Sequence, residues 1–369
     1  MKKNRTSFIV RLASLIFILI FLLWFLGYLK IPFTSIAKEE FAVMGFSPDS
    51  QKLYLEFADT SGDIRIGWMD LATKQVSLFA PQNTQDQLAS PSSSADGKQL
   101  AIVIKSAASN YEKSQIGVLD LESNTYRAIT KSDSYKQFPS FSQDGKIIIY
   151  AQPAHKRESG KTRFSGWDIY ETEVVTGVER RLTDFHFWGV SRPFYYLEDG
   201  KSFIFSGEAP RYSNSQHSHG AHAEASEDYK DISRVRDTYR QQYQDNTIFM
   251  MSDSEKSLKP LFLNGKYSSA PFVTRDGTIF FVSITNKMDG IKEGNFNYDI
   301  FVYKDGAIRR LTNLKTFLSG LVVSPMGDLA AYRRNNGDED WMMDVKNGTH
   351  SKISLGDSKS FQVINVINQ

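Results

Sequence analysis

FSQDGKIIIY, from Phe141 to Tyr150, reads as the end of one strand, a tight turn and the start of a second strand. Asp-Gly between apolar runs is a strong hairpin signal. Glycine enters the left-handed region without a Cβ clash, and the aspartate carboxylate can bond nearby backbone. Nearly the same phrase returns as FSPDSQKLYL, SSADGKQLAI, YLEDGKSFIF and VTRDGTIFFV, with turns at Asp49-Ser50, Asp96-Gly97, Asp199-Gly200 and Asp276-Gly277. Ser324-Pro325-Met326-Gly327-Asp328 is a degenerate sixth copy, and successive copies lie 47, 48, 55, 77 and 50 or 51 residues apart. Pro91, Pro139, Pro193, Pro271 and Gly320 stand a few residues ahead of the later turns, where a proline fits the start of a strand.

An apolar strand follows each turn: LYLEF, LAIVI, IIIYA, FIFSG, IFFVS and LAAYR. After a loop of variable length comes a second recurrent strand, as in QIGVLDLE, WDIYETE or YDIFVYK, and then a short closing strand such as ERRLT or IRRLT. The unit is four strands, repeated six times. Such a period predicts an all-β fold, a six-bladed β-propeller of four-stranded blades. One small sheet cannot bury both faces alone, so each must stack on the next, and closing the ring covers the two end faces. Phe361–Ile367 (FQVINVI) follows the sixth unit and is predicted to pair with the first blade and tie the ends together, with a frayed tail as the alternative.

Phe141-Ser142-Gln143-Asp144-Gly145-Lys146, followed by Asp168-Ile169-Tyr170 and Arg181-Leu182-Thr183, resembles the WD40-like repeats of the TolB propeller family. Tyr298-Asp299-Ile300-Phe301 with Arg310-Leu311-Thr312 is similar. The resemblance covers about residues 41–355 and implies the six-bladed propeller. TolB carries an additional α/β domain ahead of its propeller. The present sequence has only an apolar segment there, so the resemblance bears on fold more than on function.

That segment, Leu12–Leu29, holds eighteen residues without a charge. As a helix it spans about 27 Å at ~1.5 Å per residue, close to the ~30 Å hydrocarbon core. Lys2, Lys3, Arg5 and Arg11 precede it, which predicts a cytoplasmic N-terminus and an outward-facing remainder. The expected organisation is a cytoplasmic tip and signal anchor (1–30), a linker (31–40) and the propeller (41–369). It would lie in a bacterial inner (cytoplasmic) membrane, single-pass, with the bulk of the chain periplasmic or extracellular. Cleavage after Ala37, within Ser35-Ile36-Ala37, is the competing reading.

There is no cysteine among the 369 residues, which excludes disulfides, thiolate metal sites and cysteine nucleophiles. Residues 1–30 carry five basic side chains and no acid, so the rest of a chain of net charge +2 balances at −3. The basic character belongs to the N-terminus and gives no argument for nucleic-acid binding.

In such a blade, with strands a to d, the Asp-Gly turns join a to b. The b–c connections lie on the opposite face, and the long ones are placed at 105–114, 152–165, 206–245 and 283–297. Loops elaborated on a rigid scaffold are where binding usually resides. The largest, an insertion at 207–245 in blade four, reads as a loop with one helix or as a solvated excursion; Arg211 and Tyr212 open it. Arg157, Lys161 and Arg163 suit an anionic polymer or acidic partner, or form a solvated charged loop. Phe187, Trp188 and Arg192 have the composition of interface anchors, although Trp188 could equally plug the gap between blades. His217, His219 and His222 are weak metal candidates without a partnering carboxylate motif, and no metal or other cofactor is expected. Asn335 to Asp340 is acidic but lacks the spacing of a calcium loop. No GxSxG elbow and no GxxxxGK[ST] loop is present. The expected function is a non-catalytic module binding a protein or envelope polymer. The alternative is a hydrolase or lyase acting on a glycan or peptide in the central channel.

Overall fold

The computed structural model describes residues 40–369, apart from 59–62, 83–84, 107–112, 157–163, 184–186, 188, 198, 209–245, 253–256, 262–267, 286–296, 335–338, 356–361 and 369. The described residues form strands and turns only. Blade 1 is β1 (Glu40–Phe46), β2 (Lys52–Ala58), β3 (Ile64–Asp70) and β4 (Val76–Pro81). Blade 2 is β5 (Asp86–Ser93), β6 (Gln99–Ser106), β7 (Ser114–Asp120) and β8 (Thr125–Ala128). Blade 3 is β9 (Gln137–Phe141), β10 (Ile147–Lys156), β11 (Phe164–Glu173) and β12 (Glu179–Arg181). Blade 4 is β13 (Gly189–Tyr196), β14 (Ser202–Glu208), β15 (Asn246–Ser252) and β16 (Ser257–Pro260). Blade 5 is β17 (Ser268–Val273), β18 (Ile279–Ile284), β19 (Tyr298–Lys304) and β20 (Ala307–Arg310). Blade 6 is β21 (Leu318–Val323), β22 (Leu329–Arg334), β23 (Glu339–Asp344) and β24 (Thr349–Lys352). Each is an antiparallel meander.

The first strand of every blade touches the first strands of both neighbours, in the closed order β1, β5, β9, β13, β17, β21 and back to β1. Apolar layers fill the wedges between blades. Tyr54, Ile66 and Phe79 meet Leu100 and Ile102 between blades 1 and 2. Val103 and Ile116 meet Ile148 and Tyr150 between blades 2 and 3, and Ile149 and Ile169 meet Phe187 and Phe205 between blades 3 and 4. Ile248 meets Phe281 and Phe301 between blades 4 and 5, and a larger cluster joins blades 5, 6 and 1. At ~25 cal/mol per Å² of buried apolar area, these layers are the main force closing the ring.

The recurring sequence phrases now have physical causes. In the a–b turns the hydroxyls of Ser94, Ser142 and Thr274 donate to Asp96, Asp144 and Asp276 at 2.6, 2.8 and 2.6 Å. The amides of Lys98 and Lys146 donate to the same aspartates. These bonds, with the serine hydroxyl first, hold Asp49, Asp96 and Asp144 below the usual carboxylate range. Gly97, Gly145, Gly200, Gly277 and Gly327 take positive φ, a role filled by Ser50 at φ 59° in blade 1. In the Asp-Ile-Tyr and Arg-Leu-Thr phrases, buried Asp168 accepts from Arg181 and Thr183, and Thr183 Oγ1 accepts the Ile169 amide. Asp299, Arg310, Thr312 and Ile300 repeat the arrangement. The phrase ties strand c to the chain leaving strand d, and its aspartates are structural.

Two expectations about strands are corrected. Pro91, Pro139, Pro193 and Pro271 do not start strands. They lie at bulges inside the first strands, and the register shifts at this place in all six blades. Ser90, Phe138 and Ala270, each just ahead of a proline, take φ of 51°, 59° and 51°. The first strand is a sheet edge, and an edge with a bulge accommodates a proline without an N–H. The b–c connection of blade 3 is also shorter than 152–165, because β10 and β11 continue pairing out to Lys156 and Phe164.

The C-terminal segment is a strand, β25 (Gln362–Asn368), and it pairs with the first blade as expected; its further contact with blade 2 was not foreseen. It runs parallel to β4 over Gln362–Val366 and then parallel to β8 at Ile367 and Asn368, bridging the outer edges of blades 1 and 2. Among the described residues each four-stranded meander is one continuous run of chain, and β25 adds a strand from the C-terminus to the outer edge of blade 1. At the axis, Arg333 of blade 6 donates to the Phe41 carbonyl of blade 1.

Candidate functional site

The six first strands surround an axial channel with two chambers. The segments that lead into the a–b turns enclose a cavity of about 460 Å³. Phe138, Phe194, Tyr195, Tyr196 and Phe272 provide part of its aromatic surface, Ser90, Ser92, Ser93 and Ser140 part of its hydroxyl surface, and Arg275 the one charged side chain among its described lining residues. Tyr195 and Phe272 meet across blades 4 and 5 with ring centroids 4.7 Å apart.

At the end bearing the b–c connections, a second cavity of about 410 Å³ is bordered by Ser191, Ser269, Ser319, Tyr298, Phe317, Arg333 and Asp340. Arg333 donates to both Asp340 oxygens, at 3.1 and 2.8 Å, so the charges offset one another. Met44 and Phe138 border both chambers and mark the waist between them.

Polar pins hold the wall. The Ser90 amide, turned by its bulge, donates to Glu56 of blade 1 at 2.6 Å. The Ala270 amide points at Ser206 of blade 4, at 3.4 Å. Burial pulls the Lys105 ammonium below its ordinary value, opposed by Glu56, and burial and then Glu56 push the Tyr135 hydroxyl up. Lys136 is fully buried in the connector between blades 2 and 3. Its ammonium donates to the Ser132 carbonyl at 2.6 Å, and desolvation lowers it to about 8.

Of the residues picked out from the sequence, Arg157, Lys161, Arg163, Trp188, Arg211, Tyr212, His217, His219 and His222 lie outside the described residues. Arg192 falls within β13, and its side chain is not among those described. Phe187 is corrected from a partner-binding candidate to a core residue. It is 0% exposed and packs edge-on against Phe205 at 5.4 Å. Its amide and carbonyl both bond Trp167, which draws the connector into the sheet of blade 3. In the acidic segment, Asp340 pairs with Arg333 and Glu339 with Lys352. No group of three metal-ligating side chains occurs among the described residues. The channel residues were missed. Their signal was the proline followed by serines or aromatics ahead of each turn, as in SPSSSADG, FPSFSQDG and RPFYYLEDG.

No family profile and no curated protein matches the sequence. Solved structures do match in shape. TolB from Acinetobacter baumannii superposes with a TM-score of 0.53 at 18% identity, over 85% of this chain and 62% of that one. The chain has the TolB-type six-bladed propeller fold. The chain therefore spans less than two thirds of that TolB. An oligogalacturonate lyase in complex with manganese matches with a TM-score of 0.54 at 12% identity, over 86% of this chain and 78% of that one. A nidogen/laminin complex matches with a TM-score of 0.51 at 10% identity, over 89% and 97%. At these identities the TolB-type likeness is one of fold.

Proposed function

We propose that this chain is a membrane-anchored extracytoplasmic binding module that holds a protein or envelope partner through the b–c connections of its propeller. Residues 12–29 form the anchor, in a bacterial inner membrane, and the linker expected at 31–40 ends at residue 39, since Glu40 begins β1. The carrying observation is the asymmetry of the connections. All six a–b turns have five residues, 47–51, 94–98, 142–146, 197–201, 274–278 and 324–328. The b–c connections range from 335–338 in blade 6 to 209–245 in blade 4. Six near-identical turns make a scaffold, and variable loops on one face of it make a recognition surface. The channel chemistry agrees with holding rather than transforming. Among the described residues its charged side chains are Arg275 and the Arg333–Asp340 pair.

Deletion of 208–244 tests the reading. The ring should keep its thermal midpoint while crosslinking of the native partner in intact cells falls severalfold. Undiminished crosslinking would overturn it. Protease digestion of spheroplasts should remove the propeller; protection of the propeller would contradict the anchored topology.

A further inference from the structure

We infer that the chamber at the turn-bearing end is a second binding site, which receives the carboxyl terminus of a peptide ending in an aromatic or aliphatic residue. The argument begins with Arg275, which lies in the a–b turn of blade 5 and lines the chamber. Its amide donates to the Pro325 carbonyl of blade 6 at 2.9 Å. Its Nη2 donates to the Pro48 carbonyl of blade 1 at 2.9 Å, and Nη1 faces Met326 Sδ at 3.9 Å. The backbone of Arg275 is thus tied to blade 6 and its exposed guanidinium to blade 1, and none of these partners is a carboxylate. The adjacent Asp276 is engaged by Lys304 and Thr274, each at 2.6 Å. A preorganised guanidinium without a counter-carboxylate is suited to accept one from a ligand, two N–H groups to two oxygens.

The remaining wall specifies what accompanies the carboxylate. Phe194, Tyr195 and Phe272 give an apolar surface for a side chain. The hydroxyls of Ser90, Ser92 and Ser140 make no hydrogen bond among the described residues and can donate to or accept from peptide groups. Prolines at the bulges withhold N–H donors from the wall, so these hydroxyls carry the adaptable hydrogen bonding. The chamber's 460 Å³ falls within the ~300–1,000 Å³ of ligand pockets. Its inner limit is marked by Met44 and Phe138, which it shares with the second chamber. A chain end can enter such a space from the turn-bearing side; an acidic side chain in mid-chain must bring polypeptide in on both sides.

The test uses the full chain and a fluorescein-labelled pentapeptide ending in phenylalanine, as the free acid and as the C-terminal amide, read by fluorescence anisotropy. The acid should bind saturably and the amide at least tenfold more weakly. Arg275→Ala should bring the acid down to the level of the amide, and Ser92→Phe, which fills the chamber, should abolish both. Deleting 208–244 should change nothing, which separates this site from the loop-bearing face. Equal affinity for acid and amide, or no saturation by the acid up to about 1 mM, would overturn the inference. Arg275 also spans a blade seam. Should Arg275→Ala unfold the ring, the acid-to-amide ratio in the unaltered chain decides alone.

Discussion

Val366 offers a direct measure of how strongly the C-terminal strand clasps blades 1 and 2. Its side chain is 0% exposed and enters the layer formed by Tyr54, Phe79, Leu100 and Tyr126. Its carbonyl accepts the Gln82 amide at 2.8 Å. Val366→Ala leaves that bond intact and deletes two methyl groups. At ~0.8 kcal/mol per buried carbon, plus a partial cavity term, the loss is about 1.5–2.5 kcal/mol. Over the unit Glu40–Gln369, an unfolding entropy of ~2.1 cal/mol/K per residue gives ~0.7 kcal/mol/K, so the midpoint should fall by about 2–4 °C in calorimetry. Deleting 362–369 should lower it by at least as much, because the edges of β4 and β8 lose their shared neighbour. If both variants melt with the unaltered chain in one transition, β25 is an ornament, and the seam between blades 6 and 1 is held by the Arg333 pin and apolar packing alone.

Three further outcomes follow from the packing. Asp299→Ala should cost about 3–5 kcal/mol in urea titration, because Arg310, Thr312 and the Leu314 amide all lose a buried acceptor. A cost under 1 kcal/mol would mean that the aspartate is replaceable by water. Phe187→Ala should cost about 3–5 kcal/mol as a core truncation, and a neutral effect would restore it as a surface candidate. Lys136 is held near 8 by desolvation when folded, against 10.5 when unfolded, so between those values the unfolded chain binds more protons. The penalty for burying its charge is therefore complete below pH 8 and relieved as pH rises toward 10.5. Relative to Lys136→Met, the unaltered chain should gain about 1–3 kcal/mol between pH 7.5 and 10.5, from ~1.4 kcal/mol per unit. A flat difference would show that the ammonium is fully compensated by its carbonyls.

The ring was legible in the sequence because its code is local. An Asp-Gly turn needs only a glycine at positive φ and a carboxylate two residues from an amide, and both are written within five residues. The prolines misled because their tolerance depends on a strand edge facing the channel, a property of the closed ring. Phe187 looked like an anchor because its burial depends on Phe205 and Phe249, which belong to other strands of blade 4. The pairing of β25 with blade 1 was foreseen, but its parallel direction and its extension onto β8 of blade 2 were not, since a ladder between chain segments far apart in sequence leaves no local mark. The candidate sites fared least well. Most of the chosen residues lie on connections, whereas the channel wall is written in strands whose inward side chains read as ordinary alternation.

Because each blade is an uninterrupted run of sequence, a whole unit could be copied or lost in the gene without leaving a half-built sheet at either end. Rings that share a blade between their ends must keep those two pieces matched through any such event. Here the ends are matched instead through the β25 strap, the Arg333 contact and the apolar layer of blades 5, 6 and 1, so a change in the number of units would have to keep those surfaces compatible.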